Sequence, residues 1–194
     1  MYPIHKTEGI ILASKNIGEA NRYFWIYTKD FGLVGATAQG VRKINSKLRF
    51  SLQDFSVINL EMVEGRQIWR ITNAKLLIPG YQFSKDEKFF TLVNNICRLV
   101  MRLCQGEERN EKLFMHLKDI YSFFEKGNWK NDELKNFECV VVLRILESLG
   151  YIGDGKNISI FVTDVLSKEV IEKAGKSRHY LIEEINKSLK HSHL

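Results

Sequence analysis

Four cations, Arg42, Lys43, Lys47 and Arg49, fall within eight residues of the stretch GVRKINSKLRFSLQDF (40–55). No acid accompanies them before Asp54. Like charges crowded into one connection repel one another, and a polyanion relieves the repulsion. Phosphates do so with an entropic gain, because neutralising them releases condensed counterions. The chemistry open to this cluster is therefore binding of a nucleic-acid backbone rather than bond making. Taken alone, the same residues read equally well as a solvated loop.

Other chemistry finds little support. The sequence holds no GxSxG, HExxH, Walker A or GxGxxG spacing. Its three cysteines, Cys97, Cys104 and Cys139, are odd in number and form no CxxC. They read as small buried apolar residues in a reducing compartment rather than as a zinc site. The five histidines are scattered, and the terminal HSHL reads as a frayed end. Glu107, Glu108, Glu111 and Asp119 read as solvated helix surface. No enzyme, cofactor or metal is expected.

A second candidate surface is the aromatic run RYFWIY. In a strand, Arg22, Phe24 and Ile26 face one way and Tyr23, Trp25 and Tyr27 the other. One set must be core. The second is either a stacking platform for bases or buried under the helical part of the chain, and burial is the simpler expectation. Trp69 and Arg70 pose the same alternative.

The elements that position these residues divide into two kinds. Short β-rich runs are TEGIILAS (7–14), NRYFWIYT (21–28), LVGATAQGV (33–41), FSVINLEMV (55–63) and QIWRITNAKLL (67–77). Turn chemistry separates them at KDFG and EGR, and PG closes the series. Five such strands suit a small closed barrel, either an OB-fold or an SH3-like one. The basic stretch is then a long loop between strands three and four. From residue 84 the period becomes helical. Apolar residues repeat through Phe89, Val93, Ile96, Val100 and Cys104, with Ser84 and Glu87 as a capping box. Further helices are expected over NEKLFMHLKDIYSFFEKG, NDELKNFECVVVLRILESLG, TDVLSKEVIEKAG and SRHYLIEEINKSLKH. Between the last two and the rest, YIGDGKNISIFV reads as a loop with a short extended piece.

The fold class is thus α+β, with a five-stranded barrel over 1–80 and an α-helical bundle over 81–194. Net charge is +6, and residues 1–80 hold eleven Lys and Arg against six Asp and Glu. Nearly all the excess lies in the barrel half, which points to a polyanion partner there. The N-terminus lacks an apolar h-region, and no window approaches the roughly 18 uninterrupted apolar residues of a membrane span. A soluble, cytoplasmic protein is expected.

Taken in order, Glu8–Leu12, Gly18–Arg22, Thr28, Gly32–Leu33, Gly40–Lys43, Ser46–Lys47 and Leu52–Phe55 form a pattern that resembles the N-terminal domain of the RecO family. The likeness spans about the first seventy residues and resumes at LRILESLGY (143–151), which looks like the family's helix before its zinc knuckle. It implies an N-terminal OB-fold followed by a helical domain. It also implies a bacterial, nucleoid-associated DNA repair and recombination mediator. Such proteins bind single- and double-stranded DNA, anneal complementary strands, and act with RecR to help RecA replace single-strand-binding protein. The resemblance aligns Arg42, Lys43 and Lys47 with the family's DNA-contacting motif. Arg49 follows by proximity, and Arg22 by its place in the G-E-x-x-R element, although Arg22 also fits a structural pairing with Glu8 or Glu19. The chain departs from the family in having no cysteine after Cys139, so the zinc knuckle is absent from that place. An acidic, hydrophobic tail of single-strand-binding protein could dock near Arg98, Arg102 or Arg144. Two other functions remain open: an RNA-binding OB-fold accessory factor, and a protein–protein adaptor.

Overall fold

The computed structural model describes residues 3–104, 106–125, 129–152 and 158–191. Five strands come first: β1 (Ile4–Ile17), β2 (Asn21–Thr28), β3 (Gly32–Ala38), β4 (Val57–Val63) and β5 (Trp69–Ile78). β1 pairs antiparallel with β4 through its first half and with β2 through its second. A register shift between Ile11 and Ala13 marks the bulge where this strand passes from one partner to the other. β3 pairs antiparallel with β2, and β5 with β4. Parallel pairing of Ala36 with Trp69 and of Thr37 with Arg70 closes the barrel in the order β1-β2-β3-β5-β4. This five-stranded connectivity is that of an OB-fold.

Alternation explains the core. Phe24 and Ile26 on β2, Val34 and Ala36 on β3, and Leu60 and Met62 on β4 all point inward and are essentially inaccessible. Each large side chain so buried contributes about 1.5–3 kcal/mol. β1 exceeds its expected span at both ends because each half has its own partner strand, which local composition does not reveal. β4 starts later than expected. Phe55 is left-handed (φ 64°), and its N–H donates to the Ile11 carbonyl at 2.8 Å, so it turns the chain into the strand rather than belonging to it.

A 3-10 turn (Gly80–Lys85) leads into α1 (Glu87–Leu103). The cap is Asp86, whose carboxylate accepts from the N–H groups of Lys88 and Phe89 at 2.9 and 3.2 Å. Ser84, expected in that role, instead donates its hydroxyl to the Tyr81 carbonyl within the 3-10 turn. α1 packs beside the barrel, where Phe90 meets Phe55 edge-on at 5.5 Å. Strands therefore give way to helices near residue 80, whereas the chain divides into compact units Met1–Glu111 and Lys112–Leu194.

The second unit holds α2 (Glu111–Glu125), α3 (Asn131–Ser148), α4 (Ser159–Thr163), α5 (Lys168–Lys176) and α6 (Arg178–His191). α3 is its axis and packs against α4, α5 and α6. Phe123 stacks on both Phe137 and Trp129 at 3.8 Å. Part of YIGDGKNISIFV, residues 153–157, lies outside the described residues, as do Gly127 and the terminal SHL. The extended piece expected there is instead the helical turn α4. The buried Arg144 guanidinium donates to the carbonyls of Phe161 and Asp164 at its end. No described helix is long and apolar enough to cross a membrane.

Candidate nucleic-acid interface

Residues 39–56 close one end of the barrel, where β1 and β3 finish and β2 and β4 begin. Val41 and Leu52 are buried in the barrel core, and Leu48 packs partly against it. Between these anchors the backbone makes successive turns: Lys43 N–H to Gly40 C=O, Ser46 to Lys43, Arg49 to Ser46, and Leu52 to Leu48, at 2.9–3.3 Å. With Val41, Leu48 and Leu52 turned inward, Arg42, Lys43, Lys47 and Arg49 are all exposed. None of the four forms an ion pair among the described residues. Asp54, the acid nearest in sequence, accepts from the Ser14 hydroxyl at 2.5 Å.

The loop is tied to the hairpin turn between β1 and β2. Arg42 donates its backbone N–H to Ala20 and its guanidinium to the Gly18 carbonyl, both at 3.0 Å. Gly40, left-handed at φ 65°, donates its N–H to Asn21 Oδ1 at 2.8 Å. Arg22 lies on the same rim, opposite Ala38, and donates Nε–H to Asn16 Oδ1 at 3.2 Å. The fold thus brings Arg22, distant in sequence, to the end of the barrel that carries the basic loop.

The outward row of β2 is neither fully buried nor bare. Tyr27 is buried, and its hydroxyl reaches the Asn110 carbonyl at 3.4 Å. Burial first, then the charges of Cys104 and Glu108, pushes its pKa up. Tyr23 and Trp25 remain half-buried and meet edge-on at 4.7 Å. Lys15, opposite Tyr23 in the register, holds its ammonium 5.3 Å from both ring centroids. Gly35 lies beneath, and a Cβ there would overlap the Tyr23 hydroxyl and oblige the ring to shift. Sequence reasoning missed Lys15 because it ended the first strand at Ser14; carrying the alternation one step further would have found it.

At the opposite end of the barrel the acids taken for plain helix surface have partners. Trp69 donates its indole N–H to Glu107 at 2.7 Å, and Lys29 pairs with Glu111 at 3.0 Å. Burial raises the Cys97 thiol to about 12 and Cys104 to about 11, helped by the charges of Asp54 and Glu108 respectively. Both thiols are thus held protonated and unreactive at neutral pH. Arg144, considered above as a docking cation, is 3% exposed and engaged with backbone carbonyls, so it offers no surface. Arg98 and Arg102 are exposed on α1. No cluster of three or more His, Cys, Asp or Glu suited to a metal occurs among the described residues.

The family model described as "Recombination protein O N terminal" matches residues 1–79, which include all five candidate cations. Curated relatives that match a larger share of the chain carry the name DNA repair protein RecO. Residues 1–79 thus match the RecO N-terminal domain, and beyond them the chain is similar to RecO proteins. The RecO of Caldanaerobacter subterraneus subsp. tengcongensis is 27% identical over 162 residues, covering 80% of this chain and 66% of the relative. That of Thermodesulfovibrio yellowstonii is 27% identical over 158 residues, 80% of this chain and 61% of its own. Higher identity is confined to a shorter stretch: RecO of a Nocardioides species is 37% identical over 82 residues, 42% of this chain and 32% of the relative. The chain therefore spans about half to two thirds of the length of curated RecO proteins that it matches.

Proposed function

We propose that this chain is a non-enzymatic DNA repair and recombination mediator of the RecO family. It binds single- and double-stranded DNA at the loop end of its barrel. Arg42, Lys43, Lys47 and Arg49 take the phosphates, and Arg22 adds charge from the rim. The observation that carries the reading is the set of four exposed cations without an ion pair among the described residues, on a loop pinned by Val41 and Leu52. Because the loop is anchored, little ordering entropy opposes binding. Two strands bound at one cationic surface repel each other less, so complementary bases can meet and anneal. In this reading the chain works with RecR and single-strand-binding protein to bring RecA onto DNA, in the bacterial cytoplasm at the nucleoid.

Fluorescence anisotropy of a labelled oligonucleotide with increasing salt tests the proposal. Arg42→Glu with Lys43→Glu should weaken binding at least tenfold for any sequence. The log–log salt slope should become shallower by about 0.7 for each single-strand phosphate no longer neutralised. A complementary strand added in parallel should anneal faster with the wild type than with the variant. Unchanged binding by the variant sinks the site assignment. Stronger competition by RNA than by DNA would favour an RNA accessory factor. No oligonucleotide binding at low salt would leave a protein adaptor.

A further inference from the structure

The basic loop displays two apolar side chains that phosphate binding does not use. Ile44 is 83% exposed and Phe50 is 71% exposed. The loop has apolar positions turned inward at Val41, Leu48 and Leu52, so the outward placement of Ile44 and Phe50 is not a lack of room for hydrophobes elsewhere. The succession of backbone turns from Gly40 to Leu52 orders the loop on which both side chains and the four cations are exposed. Phe50 directly follows Arg49, and Ile44 directly follows Lys43. An exposed aromatic ring next to a cation in the chain complements a ligand that is anionic on one side and flat and apolar on another. Nucleotides in a single strand are such a ligand.

We propose that Phe50, supported by Ile44, stacks on unpaired bases, so that the loop reads strandedness as well as charge. This rests on the nucleic-acid reading given above and refines its substrate to strands with accessible bases. In a duplex the base faces are covered by their neighbours, and only the phosphates remain within reach. Stacking engages the π-face of any base and leaves the Watson–Crick edges free. A strand held in this way can still pair with its complement.

The test compares three labelled ligands of equal length at one salt concentration: oligo(dT), a strand of the same charge lacking bases, and a duplex. The full chain is used, with Phe50→Ala and Phe50→Trp. Phe50→Ala is expected to weaken oligo(dT) binding roughly tenfold. Binding of the abasic strand and the duplex should change less than twofold, with the salt slope unchanged. Phe50→Trp should retain affinity and add a fluorescence component that is quenched by oligo(dT) and not by the abasic strand. If Phe50→Ala binds oligo(dT) as the wild type does, while Arg42→Glu with Lys43→Glu does not, the stacking proposal is overturned and the phosphate site stands. Equal weakening on oligo(dT) and the abasic strand also overturns it, since Phe50 then only shapes the loop. Binding to anionic vesicles that Phe50→Ala abolishes, with oligo(dT) binding intact, overturns it in favour of a membrane contact. A wild-type chain that binds none of the three ligands removes the nucleic-acid reading itself.

Discussion

The two ends of the barrel treat charge in opposite ways. At the loop end, Arg42, Lys43, Lys47 and Arg49 are exposed without an ion pair among the described residues, and Asp54 is taken by Ser14. At the other end, Lys6 pairs with Glu61 at 2.9 Å and Lys29 with Glu111 at 3.0 Å. There the rings of His5, Phe31 and Trp69 pack at 5.2–5.5 Å, and the segment before α2 fastens to them through Glu107. The turn between β2 and β3 is locked by the Thr28 hydroxyl, which donates to the Gly32 carbonyl and accepts from Phe31 N–H, both at 3.0 Å. The far end fastens Lys29, Glu107, Glu111 and Thr28 to internal partners and is built for stability, although Arg66 in the turn between β4 and β5 and Arg70 at the start of β5 are exposed there. The other leaves cations for a ligand and takes its own order from three apolar anchors. Substitutions at the strapped end should therefore move stability, and substitutions at the loop end should move binding.

The sharpest way to break this contrast is at Gly32. It is left-handed (φ 64°), and a Cβ would overlap the Glu108 carbonyl oxygen. Overlap with backbone and the left-handed strain act together, so Gly32→Ala should destabilise the first unit by roughly 2–5 kcal/mol. Denaturant unfolding followed by tryptophan fluorescence measures this, and a change under about 1 kcal/mol would refute the close packing of the strap. Trp69→Ala should cost about 3–5 kcal/mol for the missing ring. It also frees Glu107, and amide exchange over residues 106–110 should rise with it. At the loop end, Lys47→Ala with Arg49→Ala should leave stability within about 0.5 kcal/mol. The same variant should shift the salt dependence of oligonucleotide binding, which makes it the direct counterpart of the two changes above.

The smallest expected effect is a pH dependence confined to the strapped end. Lys29, through its hydrogen bond and charge, holds the Glu111 carboxyl below its usual range. A depressed carboxylate contributes stability above its unfolded-state pKa and loses it as pH falls through the folded value. Amide protection around Lys29 and Glu111, taken relative to the intrinsic exchange rate at each pH, should therefore fall on acidification below the ordinary carboxylate range. Glu111→Gln should remove that pH response while leaving the loop end unchanged. An unaltered response in the variant would assign it to another group.

Much of the fold is legible from residue types. β2 occupies the residues that its β-branched and aromatic density marked, 21–28, and the apolar repeats of α1 through α3 place those helices near their observed spans. The charged loop is legible too, since four cations without a local acid need no tertiary information to be noticed. Less legible were the positions defined by a partner. Asp86 rather than Ser84 caps α1 because the 3-10 turn before it consumes the Ser84 hydroxyl. The β1 extension that carries Lys15 exists because β2 pairs with it as far as Ile17.

By itself, then, the sequence determined the order of strands and helices, the asymmetry of charge and the location of the basic stretch. These follow from local period and composition, which each segment carries alone. Only the tertiary structure decided that Arg22 shares a rim with the basic loop and that Glu107 and Glu111 belong to the barrel's far end. It also decided that Arg144 is engaged inside the helical unit, and that Ile44 and Phe50 face outward while Val41, Leu48 and Leu52 face in. The reason is physical. Which face of a loop is buried, and which charge finds a partner, depends on closure of the barrel and on chain segments distant in sequence, and no local pattern records them.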